Sequence, residues 1–157
     1  LMRGKAYGLL KTSEGRSRAI ADFTTVVERS TKPVPTQTAN ISESQYWRAL
    51  NDRAILYFED GQFQKCYEDF FTLLQLSPNS NDVKYNLTGA LGALARYDEA
   101  IKIGLEIPET YAEIKGVYRN ISYAYAYSLK CTESEKYAKL AGVEPKPCKS
   151  LDFTFTQ

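Results

Sequence analysis

The sequence contains no histidine, and it has only one tryptophan and one methionine among 157 residues. Histidine is the commonest general base near neutral pH and the commonest metal ligand, so its absence argues against most hydrolytic and metal-dependent enzymes. The three cysteines show no CxxC or other metal-ligand spacing. We therefore predict a chain that is not an enzyme and that needs no metal or cofactor.

Charge and hydropathy are also without extremes. The formal net charge is +1 and no run of Lys or Arg occurs, so we predict no nucleic-acid partner. No segment approaches the ~18 apolar residues of a membrane-spanning helix, and we expect no membrane insertion within these residues. A hydrophobic fraction of 43% in 157 residues is enough for one domain with a continuous core.

The cysteines give two expectations. Cys66 stands among small residues, which favours a buried thiol. Cys131 and Cys148 flank a predicted helix of roughly 11 residues, whose ends would lie ~16 Å apart. Because a disulfide needs Cα atoms within ~7 Å, we predict no bridge between them unless the tail folds back. Free cysteines favour the cytoplasm, although nothing else in the sequence indicates a compartment.

The sequence does contain a repeat of 34 residues. Small residues recur at this interval at Ala54, Thr88 and Ser122, and such a period is typical of stacked helical repeats. Four further series keep the same step: Cys66, Ala100 and Ser134; Leu73, Ile107 and Ala141; Tyr57, Leu91 and Tyr125; Phe63, Tyr97 and Cys131. We interpret each period as two antiparallel helices, with small residues where the axes approach to about 8–10 Å.

Residues that break helices occur where this interpretation needs them. Asp60-Gly61 predicts the turn between two helices of one period, and Ser77-Pro78-Asn79 predicts the end of the second helix. Ser42 and Gln45 have the spacing of an N-terminal capping pair before the next helix. The chain therefore reads as successive helix–turn–helix units.

This pattern resembles the tetratricopeptide repeat (TPR) family. The resemblance covers most of residues 1–148 and departs from the family at Leu50, Arg53, Lys84 and Gly104, while Pro108 is expected to shorten one helix. The residues that carry it are Leu50, Ala54, Tyr57, Gly61, Phe63, Cys66, Phe70, Leu73 and Pro78, then Leu87, Thr88, Ala95, Tyr97 and Ala100, then Tyr118, Ile121, Ser122, Tyr125, Ser134, Ala138 and Ala141.

The resemblance implies an all-α fold, a right-handed superhelical stack of three to four antiparallel helix pairs. The predicted units cover residues 1–30, 47–80, 81–114 and 115–148, with a loop at 31–45 and a tail at 149–157. The first unit begins mid-helix at Leu1 and has extra residues in a turn from Lys11 to Gly15. We therefore expect a piece of a larger protein, in which the truncated first unit or the tail allows self-association.

In the TPR family the first helix of each unit lines a concave groove, so the resemblance implies a scaffold that binds a protein or peptide. Helical geometry supports part of this surface independently, because Arg119, Tyr123 and Tyr127 have the spacing i, i+4, i+8 and form one stripe. The predicted partner-binding residues are Arg48, Asn51, Tyr85, Asn86, Arg119, Asn120, Tyr123 and Tyr127.

Two alternatives stay open. The tyrosines could pack on a neighbouring repeat, in which case the chain is a structural or oligomerisation segment with no peptide ligand. Some family members instead grip the terminal carboxylate of a chaperone tail with Lys, Asn and Arg. Only Asn86 and Arg119 stand at suitable positions for such a clamp, so the charge-assisted bonds it needs would be incomplete.

Overall fold

The computed structural model describes residues 12–30 and 44–148, which form seven helices and no strand, so the all-α class is confirmed. The chain divides into two compact units, Leu1–Val83 and Lys84–Gln157. The predicted first helix, most of the loop at 31–45 and the tail at 149–157 lie outside the described residues. The helices are α1 (Ser13–Arg29), α2 (Gln45–Glu59), α3 (Phe63–Leu76), α4 (Asn81–Ala93), α5 (Tyr97–Leu105), α6 (Ile114–Tyr127) and α7 (Cys131–Ala141).

Side-chain caps set two helix starts, and both correct the sequence predictions. The Thr12 hydroxyl accepts from the Gly15 N–H at 3.0 Å, so α1 begins at Ser13 and the predicted turn from Lys11 to Gly15 is wrong. Ser44, rather than Ser42, caps α2, because its hydroxyl accepts from the Trp47 N–H at 3.1 Å. In each case the cap satisfies an N–H that has no partner within the helix.

The 34-residue series occupy matching environments. Ala54, Thr88 and Ser122 are all fully buried, as are Cys66 and its two equivalents. The hydroxyl of Ser122 donates to the carbonyl of Ser134 at 2.9 Å, so the small residues lie where α6 contacts α7. The prediction that short side chains mark the closest approach of paired helices is confirmed at this pair.

The turn between paired helices is also repeated. Gly61, Ala95 and Leu129, each 34 residues apart, have φ of 73°, 58° and 60°. Each N–H donates to a carbonyl three residues back at 3.1 Å. The next N–H in each turn reaches five residues back, at 2.8–2.9 Å. This is the Schellman arrangement, in which a left-handed residue ends a helix and pairs its open carbonyls.

In the N-terminal unit, α2 contacts both α1 and α3. Phe23 is buried in the core between α1 and α2. Arg53 of α2 links all three helices, because it donates two hydrogen bonds to the Asp69 carboxylate at 2.7 and 2.8 Å and one to the Thr24 hydroxyl at 3.1 Å. The departure from the family pattern at Arg53 is therefore an ion pair inside the helix packing.

In the C-terminal unit, α6 contacts both α5 and α7. Gly104 of α5 allows this approach, since a Cβ there would lie 2.8 Å from the Ile121 side chain. Lys84 pairs with Glu106 at 2.9 Å. The departures at Gly104 and Lys84 thus each have a contact that accounts for them, and α5 ends at Leu105, ahead of Pro108.

The prediction that Cys131 and Cys148 do not pair is wrong. The two residues form a disulfide with Cα atoms 5.4 Å apart. The helix between them is 11 residues long, as predicted, but Gly142 at φ 72° reverses the chain. We call residues 143–148 the return segment. Because the chain folds back along α7, the length of the helix does not separate the two sulfur atoms, and the argument for the cytoplasm from free cysteines no longer holds.

Candidate binding site

The predicted binding residues of the N-terminal unit are accessible on α2. Arg48 is exposed and Asn51 is half-buried. Beyond them, Ile55 and Phe58 are 40% and 41% exposed, although α2 buries the rest of its apolar residues against α1 and α3. The Phe58 ring contacts the edge of Phe63 at a centroid distance of 5.3 Å, which holds it in place at the surface.

On α4 the predicted residues are half-buried. Tyr85 contacts the Tyr111 ring at 6.3 Å. It also lies against Gly116, where an added Cβ would stand 2.6 Å from the Tyr85 hydroxyl. Tyr85 therefore packs within the C-terminal unit, so substituting it would disturb the fold as well as any surface. Its neighbour Asn86 stays a predicted binding residue.

The four predicted residues of α6 differ in what they contact. Arg119 is exposed, whereas Asn120 donates to the Thr88 hydroxyl at 3.0 Å. This hydrogen bond links α6 to α4, so Asn120 has a structural partner. Tyr123 is half-buried, and Tyr127 is 60% exposed.

No family model and no curated protein sequence matches the chain. The site must therefore be read from its own chemistry. In the part of the chain that the structure describes, no helix has the length and apolar character to cross a bilayer. The same residues contain no group of three or more Cys, Asp or Glu placed to hold a metal ion.

Aromatic stacking fixes the far end of the α6 stripe. The Tyr127 ring stacks on Tyr97 of α5 with centroids 5.5 Å apart and an interplanar angle of 14°. One face of Tyr127 is thereby covered, while more than half of the side chain stays open to solvent. A ring held in this way offers apolar surface with little loss of conformational freedom on binding.

The sequence did not predict one residue at this surface. Lys146, on the return segment, places its Nζ 5.2 Å from the centroid of the Tyr123 ring, within cation–π range. Its position depends on the reversal at Gly142 and on the disulfide at Cys148. The available signal was Gly142 followed by a second cysteine, a combination that permits a short segment to fold back.

Exposure follows the repeat on this face. Asn51, Ile55 and Glu59 on α2 stand 68 residues, two periods, before Arg119, Tyr123 and Tyr127 on α6. All six side chains are at least partly accessible, whereas the intervening Ala54 and Ser122 are buried. Each unit therefore presents the same register of its first helix to solvent.

Proposed function

We propose that the chain is a tetratricopeptide-type scaffold that binds an extended segment of a partner protein. The observation that carries the proposal is the matching register of accessible side chains on α2 and α6. Contiguous exposed apolar and aromatic side chains are typical of interaction surfaces. Here they include Ile55, Phe58 and Tyr127.

The reactive side chains support a binding role rather than catalysis. Cys66 is buried, and burial together with the Asp69 charge raises the pKa of its thiol to about 12. A thiol in that state is not a nucleophile near neutral pH. We propose that Cys66 fills the space between paired helices and does no chemistry.

Panning a phage library of random 12-residue peptides on the intact chain tests the binding role. We expect enriched peptides whose affinity falls about tenfold or more in Tyr123→Ala and Ile55→Ala, since truncating an anchor side chain removes a large share of an interface. The matched controls are Leu140→Ala on α7 and Phe71→Ala on α3, which remove side chains of similar exposure, 47% and 42%, from second helices. Their affinity should stay unchanged.

The alternative is a structural segment of a longer array, and the same variants separate the two roles. A binding surface predicts that Tyr123→Ala leaves the melting temperature within about 2 °C of the parent, as for most exposed substitutions. A structural role predicts a larger fall, a parent chain that sediments as an oligomer, and no enriched peptide. That combination would refute the proposal.

A further inference from the structure

The charge on α6 is of one sign. The helix contains Lys115 and Arg119 and no Asp or Glu. Both side chains are exposed, and their i, i+4 spacing puts them one turn apart on the same side of the helix. Tyr123 continues the row by another i+4 step, so two cations and an aromatic ring follow one another along the surface.

The return segment adds a third cation to this row. Lys146 lies over the Tyr123 ring, and Pro145 and Pro147 on either side restrict its backbone. Beyond Gly142 the segment is held by the Val143 N–H bond to the Ala138 carbonyl and by the disulfide. The covalent link at Cys148 is the contact that keeps the end of the segment, and with it Lys146, beside α6.

Other cations of the same unit are neutralised, but these three are not. Lys84 pairs with Glu106, Arg96 with Glu99, and Lys130 with Asp98. Within residues 84–148, no such ion pair involves Lys115, Arg119 or Lys146. A row of unpaired cations beside tyrosine rings is complementary to carboxylates spaced along an extended chain.

We infer that this cationic face, made of Lys115, Arg119, Tyr123, Tyr127 and Lys146, binds an acidic segment of a partner protein, and that the disulfide completes the site by holding Lys146 in place. The inference rests on the proposed function and names the chemistry of its ligand. From Lys115 to Tyr127 the helix rises by ~18 Å, which an extended peptide of about five or six residues spans. A nucleic acid fits less well, because the net charge of +1 provides no wider field for a polyanion.

The probe for the test is a fluorescein-labelled peptide of four glutamates and two leucines with an amidated C-terminus, and its control replaces every Glu by Gln. Fluorescence polarisation at low ionic strength should show at least tenfold tighter binding of the Glu peptide. Arg119→Ala and Lys146→Ala should each weaken it about tenfold. The matched control is Lys139→Ala, which removes an exposed cation from α7 and should leave the affinity unchanged.

The role of the disulfide is tested by reduction with dithiothreitol. The dithiol gives two electrons and two protons, so the S–S bond breaks, Cys131 and Cys148 become thiols, and the reductant closes to its cyclic disulfide. Reduction should weaken the parent as much as Lys146→Ala does and should not weaken Lys146→Ala further. Cys148→Ser, with unchanged far-UV circular dichroism, should bind like the reduced parent.

Several results would overturn the inference. Equal affinity for the Glu and Gln peptides would show that carboxylates are not selected. Unchanged or tighter binding on reduction would show that the return segment does not contribute Lys146, or that it blocks the face. Tighter binding of a 12-nucleotide thymidine strand than of the Glu peptide would assign the face to nucleic acid. If panning yields neutral peptides that depend on Tyr123, the proposed function stands and this inference alone fails.

Discussion

Arg53 shows how a single residue can depart from a repeat pattern and still fit its packing. A charged side chain at this helix face would ordinarily be costly, but its hydrogen bonds to Asp69 and Thr24 occupy the guanidinium. Burial raises the pKa of the Asp69 carboxyl, and the Arg53 bonds oppose that rise. The pair is therefore stabilising only while both partners are present.

We predict that Arg53→Ala lowers the free energy of unfolding by about 3–5 kcal/mol, because it leaves the Asp69 charge buried without a partner. Urea denaturation at pH 7 measures the loss. In the variant the folded-state pKa of Asp69 lies further above its ordinary value of 3.8, so the variant gains stability as the pH falls and Asp69 takes up a proton. The deficit should therefore narrow towards acidic pH.

The double variant Arg53→Met with Asp69→Leu is the control for this experiment. It removes both charges and keeps side chains of similar volume, so it should be clearly more stable than Arg53→Ala. A loss below about 1 kcal/mol in Arg53→Ala, a value usual for exposed ion pairs, would contradict the structural role.

Residue burial was predictable from sequence where it followed the period, as at Ala54, Thr88 and Ser122. The partner of Arg53 was not. Asp69 lies on a different helix, and charged residues in a helical pattern are ordinarily read as solvent-exposed. The same limit applies to Asn120, whose hydrogen bond to Thr88 joins helices that are distant in sequence.

Among the elements, the turns between paired helices are the most regular. Their geometry is the same whether the left-handed residue is Gly61, Ala95 or Leu129. Only glycine adopts this conformation without a steric cost from Cβ. The packing of the two helices therefore imposes the turn, and the residue at its apex accepts the strain.

We predict that Leu129→Gly and Ala95→Gly each raise the free energy of unfolding by about 1 kcal/mol, because they remove the left-handed penalty of a side chain. Gly61→Ala should lower it by a similar amount. Thermal melts followed by circular dichroism measure all three changes.

Gly92→Ala serves as the control for these turn variants. Gly92 is helical, and an added Cβ there meets nothing within 4 Å, so alanine should stabilise by up to about 1 kcal/mol. A fall in stability for both Leu129→Gly and Ala95→Gly would show that their side chains contribute more than the conformation costs.

The chemistry of helix boundaries explains which elements were predictable. Gly61 and Pro78 are strong signals, and α2 and α3 end beside them. Ala95 and Leu129 are not turn residues, so the turns there could be expected only from the period. The start of α1 was missed because Gly15 suggested a turn, although Thr12 caps the helix ahead of it.

For the whole molecule, the disulfide is the feature that sequence reasoning placed wrongly. The argument from helix length was sound for α7 itself, but it left out the return segment that follows Gly142. The binding stripe on α6 was predicted in part, since Arg119, Tyr123 and Tyr127 follow from helical spacing. Lys146 could not be added to it without the fold-back.

We predict that reducing the disulfide lowers the free energy of unfolding of the C-terminal unit by about 3 kcal/mol. The two cysteines are 17 residues apart, and releasing a loop of that size restores chain entropy to the unfolded state. Urea denaturation with and without dithiothreitol measures the difference.

Thiol titration confirms the starting state for that comparison. The oxidised native protein should show no reactive thiol, and the oxidised unfolded protein should show one, because Cys66 is the buried free cysteine. Three thiols after unfolding without reductant would show that the bridge is absent and would contradict the predicted stability difference.

The repeated turn also bears on how such a chain changes its length. Since the backbone passes through the same dihedral angle and hydrogen-bond pattern at residues 61, 95 and 129, an unequal genetic crossover between any two of these points would join compatible ends. Each such exchange adds or deletes 34 residues and leaves the phase of every remaining helix intact. Insertions of other lengths would rotate one helix against its pair, so growth in whole steps is the route that preserves folding.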